Sequence, residues 1–472
     1  MAWALPVLKS LAADKKFIDL PLCYSVLAFR IAAFGFFTKG ESVPDDADSL
    51  PADLKLPLLD QLEEGPWPSF VKDLKQQASR RPQVAQLLQQ LEESYENRWD
   101  YWRGTVLNVS GYGGGVIARY SDLGEKYPDV AQFHTIRLIE PSAFVYSTES
   151  LRQLADTSEE FGAGILQLHG MTGDILLLGY DNEKMFAAAE ALMEQGWDIG
   201  GSGNGMRTIP CCVGPARCEM SCYDTLKLTS FLTKRFIGEL HRPEFPYKYK
   251  FKLSGCANDC ANAMTRSDMP VIGTWRDDIQ VDEQAVADFV DRHGEEWVNE
   301  NVTSRCPTRC IHLHGRKIEI DNHNCVRCMH CINVMHEALA PGNDRGVTLL
   351  IGGKRTVRSG EMVSTMLVPF MDMKTDADRE ALADLVERIW EFWGEHGNDH
   401  ERVGEFIDRV GLGTFLDGVG IEPDPQMVLN PRSNPYIKFE EYTAPRLEGE
   451  PQKAANVLPR EPEVTENPFG GD

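Results

Sequence analysis

The chain carries little positive charge for its length. Its 472 residues include 48 Lys and Arg against 72 Asp and Glu, which gives a net charge of −24. Such an excess of acid argues against nucleic acid or an anionic membrane surface as a general partner. A cluster of basic residues in so acidic a chain is therefore a candidate site for a small anion.

Long apolar runs and a secretory leader pattern are also missing. The most apolar stretch, residues 17–37, is interrupted by Asp19, Pro21 and Arg30, whereas a spanning helix needs about 20 predominantly apolar residues. The N-terminus lacks the basic, apolar and small-residue regions of a signal peptide. We therefore expect a cytoplasmic protein without membrane insertion.

Cysteine is nearly absent outside one stretch. Of the twelve cysteines, all but Cys23 lie between Cys211 and Cys331. In a reducing cytoplasm, cysteines clustered in this way are expected to be metal ligands rather than disulfide partners.

The hydrophobic pattern between residues 133 and 196 alternates between the periods of strands and helices. "FHTIRLI" predicts a strand, "TESLRQLADTSEEFG" a helix, "AGILQLHG" and "GDILLLGY" two strands, and "NEKMFAAAEALMEQG" a helix. This β-α-β-β-α order is typical of a ferredoxin-like α/β half-domain. The chain between about residues 275 and 341 is cysteine-rich, and its composition predicts loops.

A strand with alternating lysines precedes two of the cysteines in "PYKYKFKLSGCANDC". Side chains alternate between the two faces of a strand, so Lys248, Lys250 and Lys252 should share one face. Two interpretations remain open at this point. The lysines could protect an exposed sheet edge from aggregation, or they could bind an anion.

One group of cysteines has ferredoxin spacing. The segment "NCVRCMHCINVM" contains Cys325, Cys328 and Cys331, and Cys306 precedes Pro307 upstream. Bacterial ferredoxins hold a [4Fe–4S] cluster with three such cysteines and a remote Cys-Pro. The same spacings also suit zinc. Cys310 stands where ferredoxins usually carry a small residue, so we do not expect it to be a ligand.

A second group is formed by Cys212 and Cys218 in "CVGPARC" and by Cys256 and Cys260 in "CANDC". This pair of spacings resembles the motif of the sirohaem sulfite and nitrite reductases. The resemblance implies that the four thiolates hold a [4Fe–4S] cluster and that Cys260 also bridges to sirohaem iron. The family usually has proline at the position of Ala257. Cys211 and Cys222 fall outside the spacing.

Longer phrases narrow the resemblance. "LDQLEEGPWPSF", "CVGPARCEMSCYD", "ELHRPEFPYKYKFK" and "NCVRCMHCINVMHEAL" are similar to the alpha subunits of dissimilatory sulfite reductases, over about residues 59–439. The implied activity is the six-electron interconversion of sulfite and sulfide, in a direction that the sequence leaves open. The implied anion-contacting residues are Arg119, Arg137, Arg207, Lys248, Lys250 and Lys252, with Arg266 and Arg402 as further cofactor-binding candidates.

The resemblance also implies partners and cofactors. We expect sirohaem, two [4Fe–4S] clusters, an α2β2 assembly with a homologous beta subunit, and a small sulfur-carrier protein with C-terminal cysteines. In the expected pairing, the alpha lysines face a sirohaem held by the beta subunit, while Cys260 belongs to a second sirohaem.

The expected fold class is α+β, with a ferredoxin-like half-domain, a sirohaem-binding α/β domain and an inserted [4Fe–4S] ferredoxin domain. A single-chain assimilatory reductase and a two-cluster electron carrier are the competing interpretations. The inserted cysteines argue against a single-chain assimilatory reductase, and the internal anion site argues against an electron carrier. The predicted bounds are an extension at 1–50, the lead-in and half-domain at 51–205, the sirohaem domain at 206–274 and 346–435, the insert at 275–345 and an extended or disordered arm at 436–472.

Overall fold

A computed structural model describes residues 50, 54–65, 68–97, 108–111, 114–121, 123–169, 173–242, 244–356 and 360–423. The predicted N-terminal extension, apart from residue 50, and the predicted C-terminal arm lie outside these residues. In the described part of the chain, no helix is both long enough and apolar enough to span a membrane.

The helical lead-in consists of a 3-10 turn, Asp60–Glu63, and the helices α1, Phe70–Ala78, and α2, Pro82–Asn97. α1 begins after Ser69, whose side chain caps the helix by accepting a hydrogen bond from the Val71 amide. The buried carboxylate of Glu92 accepts hydrogen bonds from the amides of Leu58 and Leu59 at 2.7 and 2.8 Å. These contacts tie the turn to α2.

A five-stranded antiparallel sheet follows, in the order β1-β2-β3-β5-β4. The predicted β-α-β-β-α order is confirmed, and Ser147 and Asp181 cap the two helices through their side chains. The elements of this part are β1 Asn108–Gly111, β2 Val116–Tyr120, β3 His134–Arg137, α3 Thr148–Phe161, β4 Ile165–His169, β5 Asp174–Tyr180 and α4 Asn182–Glu194.

A second sheet has four strands in the order β15-β12-β7-β6, of which only β6 and β7 run parallel. Its helices pack over one core that includes Trp390, Trp393, Tyr249 and Phe251. The elements are α5 Thr225–Arg235, α6 Ile237–His241, β6 Phe251–Ser254, β7 Met269–Trp275, β12 Arg345–Ile351, β15 Thr365–Met371, α10 Asp376–His396, α11 Val403–Val410 and α12 Leu412–Val419, with a small hairpin of β13 Lys354–Thr356 and β14 Gly360–Met362.

The chain leaves this sheet after β7 and returns at β12, where Trp275 and Arg345 are paired. The expectation that this excursion consists of loops was wrong. Asp282 caps an amphipathic helix that buries Val286, Phe289 and Val290. The excursion contains β8 Gln280–Val281, α7 Glu283–His293, α8 Glu295–Val298, a π-helical turn Asn299–Thr303, β9 Ile311–His314, β10 Lys317–Ile320, α9 His330–Val334 and β11 Leu339–Ala340.

Gly273 in β7 allows close approach of the loop that follows β6. A Cβ atom at Gly273 would lie 1.9 Å from the Gly255 carbonyl oxygen and 3.1 Å from the Cys222 Cβ atom. Gly255 directly precedes Cys256, so the missing side chain at position 273 sets where this cysteine loop lies against the sheet.

We predict that Gly273→Ala displaces the Cys256 loop, lowers the iron content per chain and destabilises the protein by about 1–3 kcal/mol, as overpacking does. Gly394→Ala is the matched control, because Gly394 is an exposed residue of α10 with no atom within 4 Å of an added Cβ. It should stabilise the helix by roughly 0.5–1 kcal/mol. Iron analysis and thermal melting measure both effects, and a Gly273→Ala protein with full iron would contradict the prediction.

Candidate functional site

Cationic side chains from four separate segments lie close together and form a largely buried cation pocket. They are Arg137, Arg207, Lys248, Lys250 and Arg402. The pKa of Arg207 is lowered to about 9, chiefly by burial and in addition by the charge of Arg137. Burial also lowers the pKa of Lys248 to about 8 and that of Lys250 well below its usual range, with Arg402 as the next cause for both lysines. Charges that lower one another's pKa in this way lie close together, so the pocket is a candidate site for an anion.

The backbone alternation that was predicted for the lysine segment explains why these side chains point inward. Tyr249, Phe251 and Leu253 are fully buried in the core, which leaves the lysines on the opposite face. The regular strand begins only at Phe251. β6 does lie at a sheet edge, but Lys252 is only 1% exposed. Lys252 therefore does not face solvent, and Lys248 and Lys250 are half-buried.

Asp268, which the sequence analysis missed, anchors the pocket. Its carboxylate is fully buried and accepts two hydrogen bonds from Arg402, from Nε at 2.8 Å and from Nη2 at 2.5 Å. The same carboxylate accepts a hydrogen bond from the Lys250 amide at 2.8 Å. Asp268 thus fixes both a cation and the backbone that carries another.

A glycine-rich loop, residues 200–205, positions the two arginines. Arg137 Nη1 donates to the Gly201 carbonyl oxygen at 2.9 Å. Arg207 Nη1 donates to the carbonyl oxygens of Gly203 and Gly205 at 2.8 and 3.2 Å. These contacts fix the guanidinium groups through neutral carbonyl oxygens, and Arg137 Nη1 also lies 3.6 Å from the Asp174 carboxylate. A run of glycines before Arg207 was the sequence signal for this loop.

Lys252 and Arg266 lie at the second cysteine loop rather than with the other cations. Lys252 Nζ donates to the Ala261 carbonyl oxygen at 2.9 Å, one residue after Cys260. Burial lowers the pKa of Lys252 to about 8, Asp259 raises it and Arg266 lowers it. Among the described residues, the buried Nε of Arg266 has no hydrogen-bond partner. Lys252 therefore borders Cys260, and Arg266 lies close enough to Lys252 to lower its pKa.

Arg119 is placed on β2, where its Nε donates to Thr135 Oγ1 at 3.1 Å. The side chain is partly exposed. Its membership of the anion pocket stays a prediction.

The second cysteine group is assembled from two loops. Burial raises the pKa of Cys256, and the thiols of Cys218, Cys260 and Cys212 add to the rise, so the four sulfur atoms are neighbours. The Gly255 amide donates to Cys212 Sγ at 3.1 Å, a contact that stabilises cluster thiolates. All four cysteines are free thiols. This donor set fits a [4Fe–4S] cluster.

The Cys256–Cys260 loop is held rigid by Asp259, another residue that the sequence analysis missed. Its Oδ1 atom accepts hydrogen bonds from the Ser254 hydroxyl and the Ala263 amide, each at 2.7 Å. The backbone of Asp259 itself is left-handed, with φ at 48°. The side chain thereby stabilises a turn that presents the two cysteines on one side.

The ferredoxin-type cysteines line a single shared cavity. The lining includes all four predicted ligands, Cys306, Cys325, Cys328 and Cys331, and also Cys310. The pKa of Cys331 is raised to about 12, chiefly by burial and in addition by Cys325 and Cys328. A metal centre favours the thiolate form of such a buried cysteine, and four thiols that line one cavity are a suitable ligand set for a cluster.

Cys310 lies in this cavity, although the sequence analysis did not expect it to be a ligand. Its sulfur is 3.6 Å from that of Cys306, and its amide donates to Cys306 Sγ at 3.4 Å. The described residues include no group of three His, Cys, Asp or Glu side chains close enough to share one metal ion. A cubane instead binds its four thiolates at separate irons.

The two cysteine groups lie side by side. Asn258, in the Cys256–Cys260 loop, and Asn333, two residues after Cys331, exchange amide hydrogen bonds of 3.0 and 2.6 Å. Cys256 also shares a hydrophobic core with Ile332 and Met335. These contacts bring the excursion against the second cysteine group of the same chain.

Comparison with known proteins identifies related sequences and structures. Residues 202–426 match the model of the nitrite and sulphite reductase 4Fe-4S domain. The chain is 48% identical to the dissimilatory-type sulfite reductase alpha subunit of Allochromatium vinosum, over 81% of this chain and 94% of the relative. It is 43% identical to that of Nitratidesulfovibrio vulgaris, over 82% and 95%. A crystal structure of dissimilatory sulfite reductase I matches with a TM-score of 0.73 and 40% identity, over 84% of this chain and 97% of that one.

The lowered lysine pKa values predict how anion affinity depends on pH. A bound dianion favours the protonated form, so sulfate should bind best below pH 8, where Lys248 and Lys252 are charged. As pH rises above 8, affinity should fall by roughly tenfold per pH unit for each lysine that must first gain a proton. Binding should take up protons in this range.

Calorimetry in two buffers of different ionisation enthalpy measures both the affinity and the proton uptake. Lys72→Met is a suitable control, because Lys72 is exposed on α1 and far from the pocket in sequence. An affinity for sulfate that stays constant between pH 7 and 9 would show that the lysines do not titrate with binding.

Proposed function

The chain belongs to the family of dissimilatory-type sulfite reductase alpha subunits, and from this premise we propose that its buried cation pocket binds sulfite and stabilises it during reduction. The observation that carries the proposal is that Arg137, Arg207, Lys248 and Lys250 converge in one pocket, where burial and the repulsion between these charges lower the pKa values of Arg207, Lys248 and Lys250. Without a bound anion, the burial of these cations and the repulsion between them oppose folding. A small dianion offsets the repulsion.

The residues of the pocket have two kinds of role in this proposal. The guanidinium groups of Arg137 and Arg207 are fixed by carbonyl oxygens, so they can stabilise negative charge on the substrate oxygens without reorganising. Lys248 and Lys250 bind the same oxygens and, because their pKa values are low, can also release a proton to an oxygen that leaves as water. Arg119 and Lys252 complete the proposed set of anion-contacting residues.

Members of this family use iron–sulfur and sirohaem cofactors, which supply the electrons when they are bound. We assign Cys212, Cys218, Cys256 and Cys260 to one [4Fe–4S] cluster, with Cys260 next to the sirohaem iron. The unpartnered Nε of Arg266 is a suitable donor for a sirohaem carboxylate. Arg402 is also proposed for this role, although Asp268 already occupies its Nε and Nη2 atoms.

A second cluster is assigned to Cys306, Cys325, Cys328 and Cys331, within an inserted ferredoxin-type domain at 275–345. The shared cavity of these cysteines supports the assignment, and the pairing of Trp275 with Arg345 supports the insertion. The lead-in and half-domain at 51–205 and the sirohaem domain at 206–274 and 346–435 complete the proposed organisation.

The chain forms an alpha/beta assembly, and beta subunits of such reductases are themselves similar to it. We propose an α2β2 stoichiometry in which the alpha pocket faces a sirohaem held by the beta subunit. We also propose that a small sulfur-carrier protein with C-terminal cysteines accepts sulfur near the α/β cleft. The mass of the purified assembly tests the stoichiometry, and an isolated alpha chain that reduced sulfite at the rate of the assembly would contradict it.

The insert is predicted to pass electrons to the catalytic centre. Cys328→Ser should remove one [4Fe–4S] cluster from the iron count and abolish turnover with a physiological donor, while sirohaem absorption persists. The exposed His314→Ala, on a hairpin of the same insert, serves as a control that should retain both. Unchanged turnover in the Cys328→Ser variant would exclude this electron route.

The pocket is tested by Lys250→Met, which keeps most of the side-chain stem and removes the charge. A charge-assisted hydrogen bond contributes about 1.5–3 kcal/mol, so kcat/KM for sulfite should fall by roughly 10–150-fold. Cluster content should not change. Cys260→Ser should instead disturb the alpha chain's own cluster and tetrapyrrole spectrum. If both variants damaged the same haem spectrum equally, the proposed crossed arrangement would be wrong.

A further inference from the structure

Two buried carboxyl groups lie beside the cation pocket, and the proposed function gives neither of them a role. Glu140 follows β3 three residues after Arg137, and Asp174 is the first residue of β5. Glu140 is 7% exposed and Asp174 is fully buried. Among the described residues, neither side-chain oxygen of Glu140 has a hydrogen-bond partner of good geometry, although the Thr208 hydroxyl lies close enough to lower the pKa of Glu140. An ionised carboxylate that is buried with so little hydrogen bonding would strongly destabilise the fold, so the burial of Glu140 calls for an explanation.

The surroundings of Glu140 favour its neutral form. Burial raises its pKa well above the usual range, and the charge of Asp174 raises it further, while Thr208 and Arg137 act in the opposite direction. Two acids this close hold one proton between them more readily than none. The titratable or charged groups that interact with this acid pair are Arg137 on β3, His169 on β4, Arg207 and Cys211 after the glycine-rich loop, Lys252 on β6, and Tyr146 before α3.

Asp174 connects the acid pair to the protein surface. Its Oδ2 atom is 3.3 Å from Nδ1 of His169, whose side chain is 41% exposed. The two residues are directly paired across β4 and β5. The hydroxyl of Thr208 donates to the other oxygen of Asp174. A histidine exchanges protons with water near neutral pH, so this series of contacts reaches from solvent to the buried acids.

Asp174 also connects the acid pair to the pocket. Its Oδ2 atom is 3.6 Å from Nη1 of Arg137, and its charge acts on Arg207. Neither arginine is a practical source of protons for repeated turnover, because a guanidinium holds its proton too firmly. The pocket lysines can each release one proton, but they are buried and must be reprotonated from somewhere.

We propose that His169, Asp174 and Glu140 form a proton relay that carries protons from solvent to the sulfite pocket. The proposal rests on the proposed function of that pocket. For each S–O bond that breaks, two electrons from the iron centres and two protons convert the released oxygen to water. Glu140 releases the proton of its carboxyl group towards the Arg137 side of the pocket, and His169 and Asp174 return one from solvent. Over the full reaction, HSO3⁻ takes up six electrons and six protons to give HS⁻ and three water molecules.

The relay is tested first by kinetics of the α/β enzyme. Glu140→Gln keeps the shape of the side chain but cannot carry the proton, and we expect kcat to fall by roughly 10–100-fold with little change in KM. Wild-type kcat should decline as pH rises through the pKa of the acid pair, because the relay then loses its proton. This decline should be missing from the Glu140→Gln variant. Glu92→Gln is the matched control, since Glu92 is a buried carboxylate far from the pocket in sequence; it should lower stability without altering the pH profile.

His169 provides a test that does not disturb the core. His169→Ala should lower kcat by a similar factor, and added imidazole should restore it, because a small base can replace an exposed side chain. A purely structural histidine would not be rescued in this way. A His169→Ala enzyme with full activity at every pH, without imidazole, would overturn the route through His169.

The charge state of Glu140 can be measured without turnover. The infrared spectrum of the wild-type complex at neutral pH should contain the carbonyl band of a protonated carboxyl group, absent from Glu140→Gln and retained in Glu92→Gln. If the wild-type protein lacks the band, Glu140 is ionised and the relay is wrong. If the band is present but the assembly does not reduce sulfite, the proposed function fails while the assignment of the proton to Glu140 stands.

Discussion

The pocket depends on the ion pair between Asp268 and Arg402. Four other cations lie in the same buried region, and without a counter-charge their repulsion would oppose folding. Asp268 accepts two hydrogen bonds from Arg402 and one from the Lys250 amide, and its charge raises the pKa of Lys248 and Lys250 against the effect of burial. Because both partners are buried, removing one would leave an uncompensated charge, which typically costs about 3–5 kcal/mol. The pair thus joins β7 to the start of α11 and holds the lysine segment between them.

The same chain places its cysteine groups close to each other and close to one of its lysines. Asn258 and Asn333 bridge the two cysteine loops, so in the proposed electron route the insert would deliver electrons first to the chain's own Cys256–Cys260 loop. Lys252 contacts that loop at Ala261, whereas Lys248 and Lys250 interact with Arg402. The lysine segment is therefore divided between two centres. The proposed crossed arrangement places all three lysines at a sirohaem of the beta subunit, whereas the contact of Lys252 with Ala261 places this lysine beside the chain's own Cys256–Cys260 loop.

Local sequence patterns could predict the strands, helices and ligand spacings, but not how deeply the cations are buried. The period of two around Tyr249 and Phe251 placed the lysines on one face, because alternation is a property of neighbouring residues. The depth of the pocket comes from Arg402 and the glycine-rich loop, which are distant in sequence. Asp268, Asp174 and Glu140 had no local signal at all, since they are isolated acids in a chain with 72 of them. Only the fold distinguishes a buried carboxyl group from a solvated one.

The free-energy cost of burying a charge affects both the basic and the acidic side chains of this region. It lowers the pKa values of the pocket lysines and raises that of Glu140, so the interior carries less charge than its residues suggest. Binding of a dianion reverses the effect on the lysines, which then gain protons. An anion that enters the pocket is thereby accompanied by protons before any electron arrives. The reaction consumes protons when it converts three substrate oxygens to water. Desolvation of the pocket lysines causes protons to bind together with the anion, which supplies part of this demand. The neighbouring acids are placed to replace the protons that are consumed.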